Sequence, residues 1–242
     1  MFSKKGVIFM GMKMLEKMAA LPGDHRLKSY EETAATHDWK ETEKAFSWYE
    51  TGKVNMAYEA IDRHTETYRK NKVALYYNDG VRKEAYSFND MKLLTNKAAN
   101  VLKNVTDMKK GDRLFIFMPR SPELYFSLLG ALKMGVIVGP LFEAFMEGAV
   151  YDRLFDSQAV ALVTTPTLLS RVPVDKLPNL QKIFLVGEDI EETDQIVDFN
   201  KRMKEASNKF DIEWVDKEDG MILHYTSGST GAPKGVLHVH YA

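Results

Sequence analysis

The chain has 242 residues and a formal net charge of −1, with 33 basic residues against 34 acidic ones. This balance argues against a nucleic-acid or membrane-surface binder, because both usually carry a basic excess. The sequence contains no cysteine, which excludes disulfides, thiolate metal sites and cysteine nucleophiles and is typical of a cytoplasmic protein. Hydrophobic residues make up 45% and charged residues 28%, as in soluble globular proteins of one large or two small domains.

The first residues, 1–11, are expected to contribute nothing to the folded core. An apolar run after two lysines resembles a secretory signal, but Lys13 interrupts it and no small-residue cleavage pattern follows. A start codon assigned too early is the other interpretation, because Met10, Met12 and Met14 follow closely. We therefore expect residues 1–11 to be a mis-called start or disordered. Further along, the most apolar stretch is broken by charges, glycines and a proline, so no membrane span is predicted.

The first third of the chain is rich in charge, tryptophan and tyrosine and shows little strand pattern. Its aromatic clusters around Trp39 and Trp48 are expected to anchor an irregular segment onto a larger body. The spacing of apolar residues predicts one helix over Met56–Tyr68.

From Val73 onward, strands alternate with helices, which predicts a mostly parallel sheet flanked by helices on both faces. The predicted strands are Val73–Tyr77, Arg82–Tyr86, Leu114–Met118, Val136–Val138, Ala159–Thr164, Lys182–Val186 and, as the last one, Met221–Tyr225. The predicted helices run from an N-cap at Ser87 to about Asn104, from Pro122 onward, over Glu147–Asp156, over Thr167–Ser170 and over Ile196–Asn208. Ligands of such sheets bind beyond the carboxyl ends of the strands.

A loop rich in serine, threonine and glycine follows the last predicted strand and has the chemistry of a polyphosphate cradle. Glycines allow close approach of backbone N–H groups, hydroxyls donate hydrogen bonds, and a lysine adds a compact positive charge. The candidate phosphate-binding residues are Thr226, Ser227, Gly228, Ser229, Thr230, Gly231 and Lys234.

The loop does not match two familiar nucleotide-binding patterns. A Walker A loop requires glycine before its lysine and a hydroxyl residue after it, whereas Lys234 lies between Pro233 and Gly235. No G-x-G-x-x-G fingerprint is present either. The alternative interpretation of this loop is a flexible linker without a binding function, but a linker would not follow a buried strand or continue into Pro-Lys-Gly-Val-Leu.

Two histidine-containing groups are further candidate sites. His238 and His240 would share one face of a strand, yet without a third ligand or a carboxylate at suitable spacing we predict structural histidines and no metal site. Neighbouring residues on a helix do not face each other, so Asp62, Arg63 and His64 are interpreted as structural salt-bridge residues.

The segment from Tyr225 to Gly235 matches the signature loop of the adenylate-forming enzymes, and Tyr86–Met91 and Gly111–Leu124 resemble this family's early helix start and first core strand. Phe46–Tyr49 resembles the N-terminal extension of the short-chain acyl-CoA synthetases, and Pro140–Phe145 resembles the matching stretch of the acetyl-CoA synthetases. The resemblance extends from about residue 21 onward. It implies a partial adenylate-forming large domain, preceded by an irregular or helical extension.

What this resemblance implies is a two-step ligase that uses ATP, acetate and coenzyme A. Acetate and ATP would give acetyl-AMP and pyrophosphate, and CoA would then accept the acetyl group. The loop from Thr226 to Gly231 would hold the β- and γ-phosphates with Mg²⁺, and Lys234 would neutralise charge on the departing pyrophosphate. The partners would be these small molecules, without nucleic acid or membrane, and the oligomeric state stays open.

The resemblance also predicts a division of the chain. Residues 12–70 correspond to the N-terminal extension and residues 71–242 to the N-terminal part of the AMP-binding domain, which the family continues beyond this loop with its acyl pocket and principal catalytic lysine. We therefore expect no catalysis from the chain alone. The alternatives are a catalytically inert truncated chain with at most weak nucleotide binding, or a fragment of another acyl-adenylating ligase.

Overall fold

The computed structural model describes residues 30–226, 231 and 233–242. The predictions made for residues 1–11 and for Ser227–Thr230 lie outside these described residues. The chain divides into two units, residues 1–42 and 43–242. In the first unit, α1 spans Tyr30–Thr36, and the exposed Trp39 packs edge-on against His37, with ring centroids 4.8 Å apart.

The secondary structure follows the strand–helix alternation that the sequence predicts. The further helices are α2 Trp39–Glu43, α3 Trp48–Thr51, α4 Met56–Ala60, α5 Phe88–Val105, α6 Pro122–Lys133, α7 Glu147–Asp156, α8 Pro166–Leu169 and α9 Phe199–Glu205. The strands are β1 Lys53–Val54, β2 Val73–Asn78, β3 Lys83–Ser87, β4 Arg113–Phe117, β5 Ile137–Pro140, β6 Ala161–Thr164, β7 Lys182–Leu185, β8 Ile196–Asp198, β9 Val215–Asp216, β10 Gly220–Thr226 and β11 Lys234–Val239. Short 3₁₀ helices cover Asp62–Glu66 and Val174–Lys176.

Seven strands form the main sheet in the order β11-β10-β5-β4-β6-β7-β8. All neighbours in this sheet are parallel except β10 and β11, which pair antiparallel. The fold is therefore the mostly parallel α/β architecture that the sequence predicts. The strands β4, β5, β6, β7 and β10 consequently end at the same edge of the sheet.

Alternate residues of the central strands face two separate hydrophobic cores. On β4, Leu114 and Ile116 join the core beneath α5, α6 and α9, whereas Phe115 and Phe117 join the core beneath α7 and α8. Each of these four side chains is almost completely buried. This period of two is what a strand covered by helices on both faces requires.

Residues 55–61, which precede β2, pack into the same core as the sheet. Asn55 is fully buried, its side-chain oxygen caps α4, and its amide nitrogen donates to the carbonyls of Leu132 and Glu213 at 2.8 and 2.9 Å. Ala57 is also completely buried in the core that includes α5 and α6.

The predicted helix over Met56–Tyr68 is wrong in its length. Helix α4 ends at Ala60, and the chain continues as a 3₁₀ helix over Asp62–Glu66. The buried carboxylate of Asp62 contacts Lys133, and this tertiary contact accompanies the break in the regular helix. Tyr68, the last residue of the predicted helix, lies beyond the 3₁₀ helix and is exposed.

Two other predicted boundaries are also corrected. The first residues of the helix predicted over Ile196–Asn208 instead form strand β8, which pairs with β7. Helix α9 begins after Asp198, the N-cap residue, whose side chain accepts a hydrogen bond from Lys201 N. The strand ending in Tyr225 is not the last, since β11 returns beside it. In the described part of the chain, no helix has the length and hydropathy needed to cross a membrane.

Candidate active site at the carboxyl edge of the sheet

Strand β10 carries the chain to the carboxyl edge of the parallel sheet, where the serine- and glycine-rich loop begins. It pairs with β5 in parallel, with Ile222 beside Val138, so its end lies on the same side as the ends of β4 and β5. Strand β11 then returns antiparallel, and Thr226 is paired directly with Lys234. The two ends of the candidate phosphate loop therefore lie side by side.

The described residues of this loop present polar groups to solvent. Thr226, Gly231 and Lys234 are exposed, and Gly231 adopts φ +104°, a backbone conformation that L side chains rarely adopt. The Lys234 ammonium forms no hydrogen bond or ion pair with any described residue, which leaves its charge available to an anion. Of the other predicted loop residues, Ser227, Gly228, Ser229 and Thr230 lie outside the described residues.

A groove of about 450 Å³ opens beside β10 at the same edge. Residues that follow β4 and β5 line it together with α7 and the end of β10. The lining residues are Met118, Arg120, Leu124, Pro140, Leu141, Phe142, Glu143, Phe145, Arg153, His224 and Tyr225. The groove thus combines apolar walls with two guanidinium groups, as expected of a small-molecule site at strand ends.

Tyr225, the residue before the loop, is fixed by contacts to helix α7. Its hydroxyl donates to Asp156 Oδ2 at 2.5 Å, and its ring lies 6.5 Å from that of Phe115. Burial, followed by the hydrogen bond to Asp156, raises the pKa of the Tyr225 hydroxyl well above its usual range. The hydroxyl therefore stays protonated and remains a donor at physiological pH.

Arg153 is a buried cation in the wall of the groove. Its guanidinium lies 4.2 Å from the ring centroid of Phe145 and 5.8 Å from that of Tyr225, and Nη1 donates to the carbonyl of Ala149 at 2.7 Å. No carboxylate among the described residues pairs with it, and its buried Nε has no hydrogen-bond partner there. Two aromatic faces thus hold the positive charge of Arg153 beside the strand end.

The three histidines on or next to the β10–β11 hairpin are a surface pair and one buried residue. His224 and His238 face each other across β10 and β11, with ring centroids 5.8 Å apart, and burial followed by the charge of His238 lowers the pKa of His224. His240 is completely buried and its Nδ1 accepts from the Met56 backbone N–H at 3.1 Å, a structural contact. In residues 30–226, 231 and 233–242, no cluster of three or more histidine or acidic side chains could hold a metal ion.

The interpretation of Asp62 and Arg63 as salt-bridge residues is confirmed, whereas His64 forms no ion pair with a described residue and packs edge-on against Phe88. Asp62 pairs with Lys133 at 2.8 Å and Arg63 pairs with Glu59 at 3.1 Å, both away from the groove. Sequence reasoning missed Arg153 and Asp156 as residues beside the loop. Their spacing of three on α7 could have been read as one helix face, but nothing in the sequence placed that face against β10.

The fold and the position of the loop define an α/β protein with a candidate ligand site at the carboxyl edge of a mostly parallel sheet. The chain belongs to the family of AMP-binding enzymes, because the model of this family matches residues 61–242.

Individual relatives agree with this assignment. The chain is 62% identical over 228 residues to acetyl-coenzyme A synthetase of Bacillus subtilis strain 168, covering 94% of this chain and 40% of that protein. It is 34% identical over 205 residues to acetyl-coenzyme A synthetase of Helicobacter acinonychis strain Sheeba, covering 77% of this chain and 31% of that protein. The chain therefore spans well under half the length of these relatives.

Solved structures share the fold. The crystal structure of an acyl-CoA synthetase from Brucella canis superposes with a TM-score of 0.77 at 25% identity, covering 88% of this chain and 38% of that chain. The anthranilate CoA ligase AuaEII, in complex with anthranoyl-AMP, gives a TM-score of 0.69 at 26% identity, covering 78% of this chain and 35% of that chain.

Proposed function

We propose that the protein acts as an AMP-forming acetate–CoA ligase and that these 242 residues supply the pyrophosphate side of its nucleotide site. One observation carries the proposal: Thr226 and Lys234, whose ammonium pairs with no described residue, lie side by side at the carboxyl edge of the sheet. The 62% identity to an acetyl-coenzyme A synthetase supports acetate as the acid.

In the first step, a carboxylate oxygen of acetate attacks the α-phosphorus of ATP, which forms acetyl-AMP and releases pyrophosphate. Negative charge grows on the departing pyrophosphate, and a cation placed there stabilises the transition state more than the ground state. We assign this role to Lys234. In the second step, the sulfur of CoA attacks the acetyl carbonyl, which gives acetyl-CoA and AMP.

The same proposal assigns the phosphate contacts to Thr226, Ser227, Gly228, Ser229, Thr230 and Gly231. The exposed hydroxyl of Thr226 and the positive φ of Gly231 support it, because polyphosphates require donors and close backbone approach. Mg²⁺ retains waters and binds mainly through phosphate oxygens, so we propose that it arrives on ATP. The substrates are small molecules of the cytoplasm, where we place the protein.

We further propose the division of the chain into an N-terminal extension, residues 12–70, and an AMP-binding part, residues 71–242. The family model matches residues 61–242, which contain the whole second segment and the last ten residues of the first. Within the first segment, Asn55 donates to the carbonyls of Leu132 and Glu213.

The test is acetate-dependent exchange of labelled pyrophosphate into ATP by the full-length gene product, followed by acetyl-CoA formation once CoA is added. We expect exchange with acetate and none without an acid. Exchange with a longer acid but not with acetate would identify another acyl-adenylating ligase. A protein that neither exchanges pyrophosphate nor binds ATP would contradict the proposed function.

A further inference from the structure

The last side chain before the candidate phosphate loop is hydrogen-bonded to helix α7. Tyr225 directly precedes Thr226, and its hydroxyl donates to Asp156 Oδ2 at the end of α7. Since Thr226 is paired with Lys234, a displacement of Tyr225 would shift the point at which both ends of the loop meet.

Several contacts restrict the Tyr225 ring beyond this hydrogen bond. The ring lies 5.8 Å from the guanidinium of Arg153, which belongs to the same helix as Asp156, and 6.5 Å from the ring of Phe115 on β4. Its cross-strand partner is Gly235, where an added Cβ would already lie 3.5 Å from the tyrosine ring. The ring therefore fills a site made by α7, β4 and β11.

Arg153 is itself fixed, so α7 offers a rigid support. Its guanidinium lies over Phe145 at 4.2 Å and its Nη1 donates to the Ala149 carbonyl. Hydrogen bonds that accept at an ionised carboxylate are stronger than neutral ones, and a protonated tyrosine hydroxyl can donate one to Asp156. The strand end is thereby attached to α7 by a directional bond in addition to packing.

We propose that Tyr225, through its hydrogen bond to Asp156, is a positioning residue that fixes Thr226 and its cross-strand partner Lys234 in the place from which they contact the nucleotide phosphates. This inference rests on the proposed function, because it concerns the same phosphate loop. Nucleotide chemistry depends steeply on placement, and a shift of about 1 Å can cost on the order of 100-fold in rate.

The test uses variants of the full-length gene product that change only the hydrogen bond. Tyr225→Phe keeps the aromatic ring and its contacts with Arg153 and Phe115 but removes the donor. We expect the KM for ATP to rise and kcat of acetate-dependent pyrophosphate exchange to fall. The two changes together should lower kcat/KM by on the order of tenfold. Asp156→Ala should give a similar loss, and the double variant should be no worse than either single one.

Two controls separate positioning from general destabilisation. Asp156→Asn keeps an oxygen that can accept from Tyr225, so it should retain most of the activity that Asp156→Ala loses. Tyr77→Phe removes a comparable tyrosine–carboxylate hydrogen bond, of 2.8 Å to Asp79, on the β2–β3 hairpin. This hairpin is far from the loop in sequence, so Tyr77→Phe should leave kcat/KM unchanged.

The outcomes are distinguishable. An active wild type with unchanged kcat/KM in Tyr225→Phe overturns the positioning role and leaves the proposed function intact. Equal losses in Asp156→Asn and Asp156→Ala would also overturn it, because the acceptor would then not matter. A wild type with neither exchange nor ATP binding contradicts the proposed function and, with it, this role of Tyr225.

Discussion

Lys133 and Asp62 form a completely buried ion pair that joins α6 to the 3₁₀ helix after α4. The Lys133 ammonium lies 2.8 Å from Asp62 Oδ1, and it donates to Asp62 Oδ2 at 2.9 Å and to Asn96 Oδ1 at 2.6 Å. Burial lowers the pKa of Lys133 and raises that of Asp62, while each charge opposes this shift in the other. The pair thus holds the 3₁₀ helix Asp62–Glu66 against α6.

Replacing Asp62 by alanine is expected to lower the free energy of unfolding by about 3–5 kcal/mol, because it leaves the Lys133 charge buried without a counterion. Equilibrium unfolding in urea measures the change. The combined variant Asp62→Leu and Lys133→Met removes both charges and should recover much of the loss. A double variant less stable than Asp62→Ala would contradict this explanation.

An exposed ion pair provides the matched control. Lys176 and Glu147 approach to 3.1 Å, but both side chains are 57% exposed. Solvent screens such pairs, so Glu147→Ala should change the free energy of unfolding by less than about 1 kcal/mol. A loss as large as that of Asp62→Ala would show that burial is not what distinguishes the two pairs.

The helix caps show how much the sequence could predict. Ser87 and Asp90 were expected to start α5, and they form a reciprocal capping box in which Asp90 N donates to Ser87 Oγ at 3.1 Å and Ser87 N donates to Asp90 Oδ2 at 2.9 Å. This pattern is local: both partners lie within four residues, so a single sequence contains all the information it needs.

The sequence does not predict the features that depend on contacts between residues far apart along the chain. Strand β8 takes its conformation from pairing with β7, and β11 from pairing with β10. At the site, the loop was found because its composition reveals it, whereas Asp156 is separated from Tyr225 by 69 positions. A single sequence does not show which helix face packs against which strand.

His240 predicts a pH dependence of stability. Burial lowers its pKa to about 4, an effect that the charge of Lys110 reinforces and that of Asp219 opposes. Between pH 4 and 6.5 the unfolded chain therefore binds more protons at this histidine than the native protein, so stability falls as the pH falls. The contribution of the neutral, buried His240 to the free energy of unfolding should be complete above about pH 6.5 and about 2 kcal/mol smaller at pH 5.

Urea unfolding at pH 7 and pH 5 tests this with a variant that cannot titrate. His240→Asn can place an oxygen near the position of Nδ1, which accepts from Met56 N, and it should lose about 2 kcal/mol less than the wild type between these pH values. An identical pH dependence in both proteins would show that other groups, such as His224 or carboxylates, account for the change.

Gly139 allows β5 to approach the ring of Phe115. A Cβ at this position would lie 2.3 Å from two atoms of that ring, which is itself completely buried. Gly139→Ala is therefore expected to destabilise the protein by about 1–3 kcal/mol or more through overpacking, measured as a lower midpoint of urea unfolding.

Gly148 in α7 is the control for the same substitution. An added Cβ there meets no atom within 4 Å, and alanine is favoured over glycine within a helix. Gly148→Ala should leave stability unchanged or raise it by roughly 0.5–1 kcal/mol. If Gly139→Ala lowered stability no more than Gly148→Ala does, the close contact with Phe115 would not limit the packing of β5.

Lys234 begins the second strand of its hairpin beside Thr226 and forms no ion pair with a described residue, and its replacement tests the chemistry directly. Lys234→Ala in the full-length gene product should lower kcat of acetate-dependent pyrophosphate exchange by on the order of 100-fold, because the charge of the leaving pyrophosphate would lose its cation. Lys83 occupies the same place in the β2–β3 hairpin, as the exposed first residue of its second strand. Lys83→Ala therefore makes the same change in strand propensity and charge as Lys234→Ala, but it should leave kcat unchanged. Equal kcat values in the two variants would contradict the proposed role of Lys234 in the reaction.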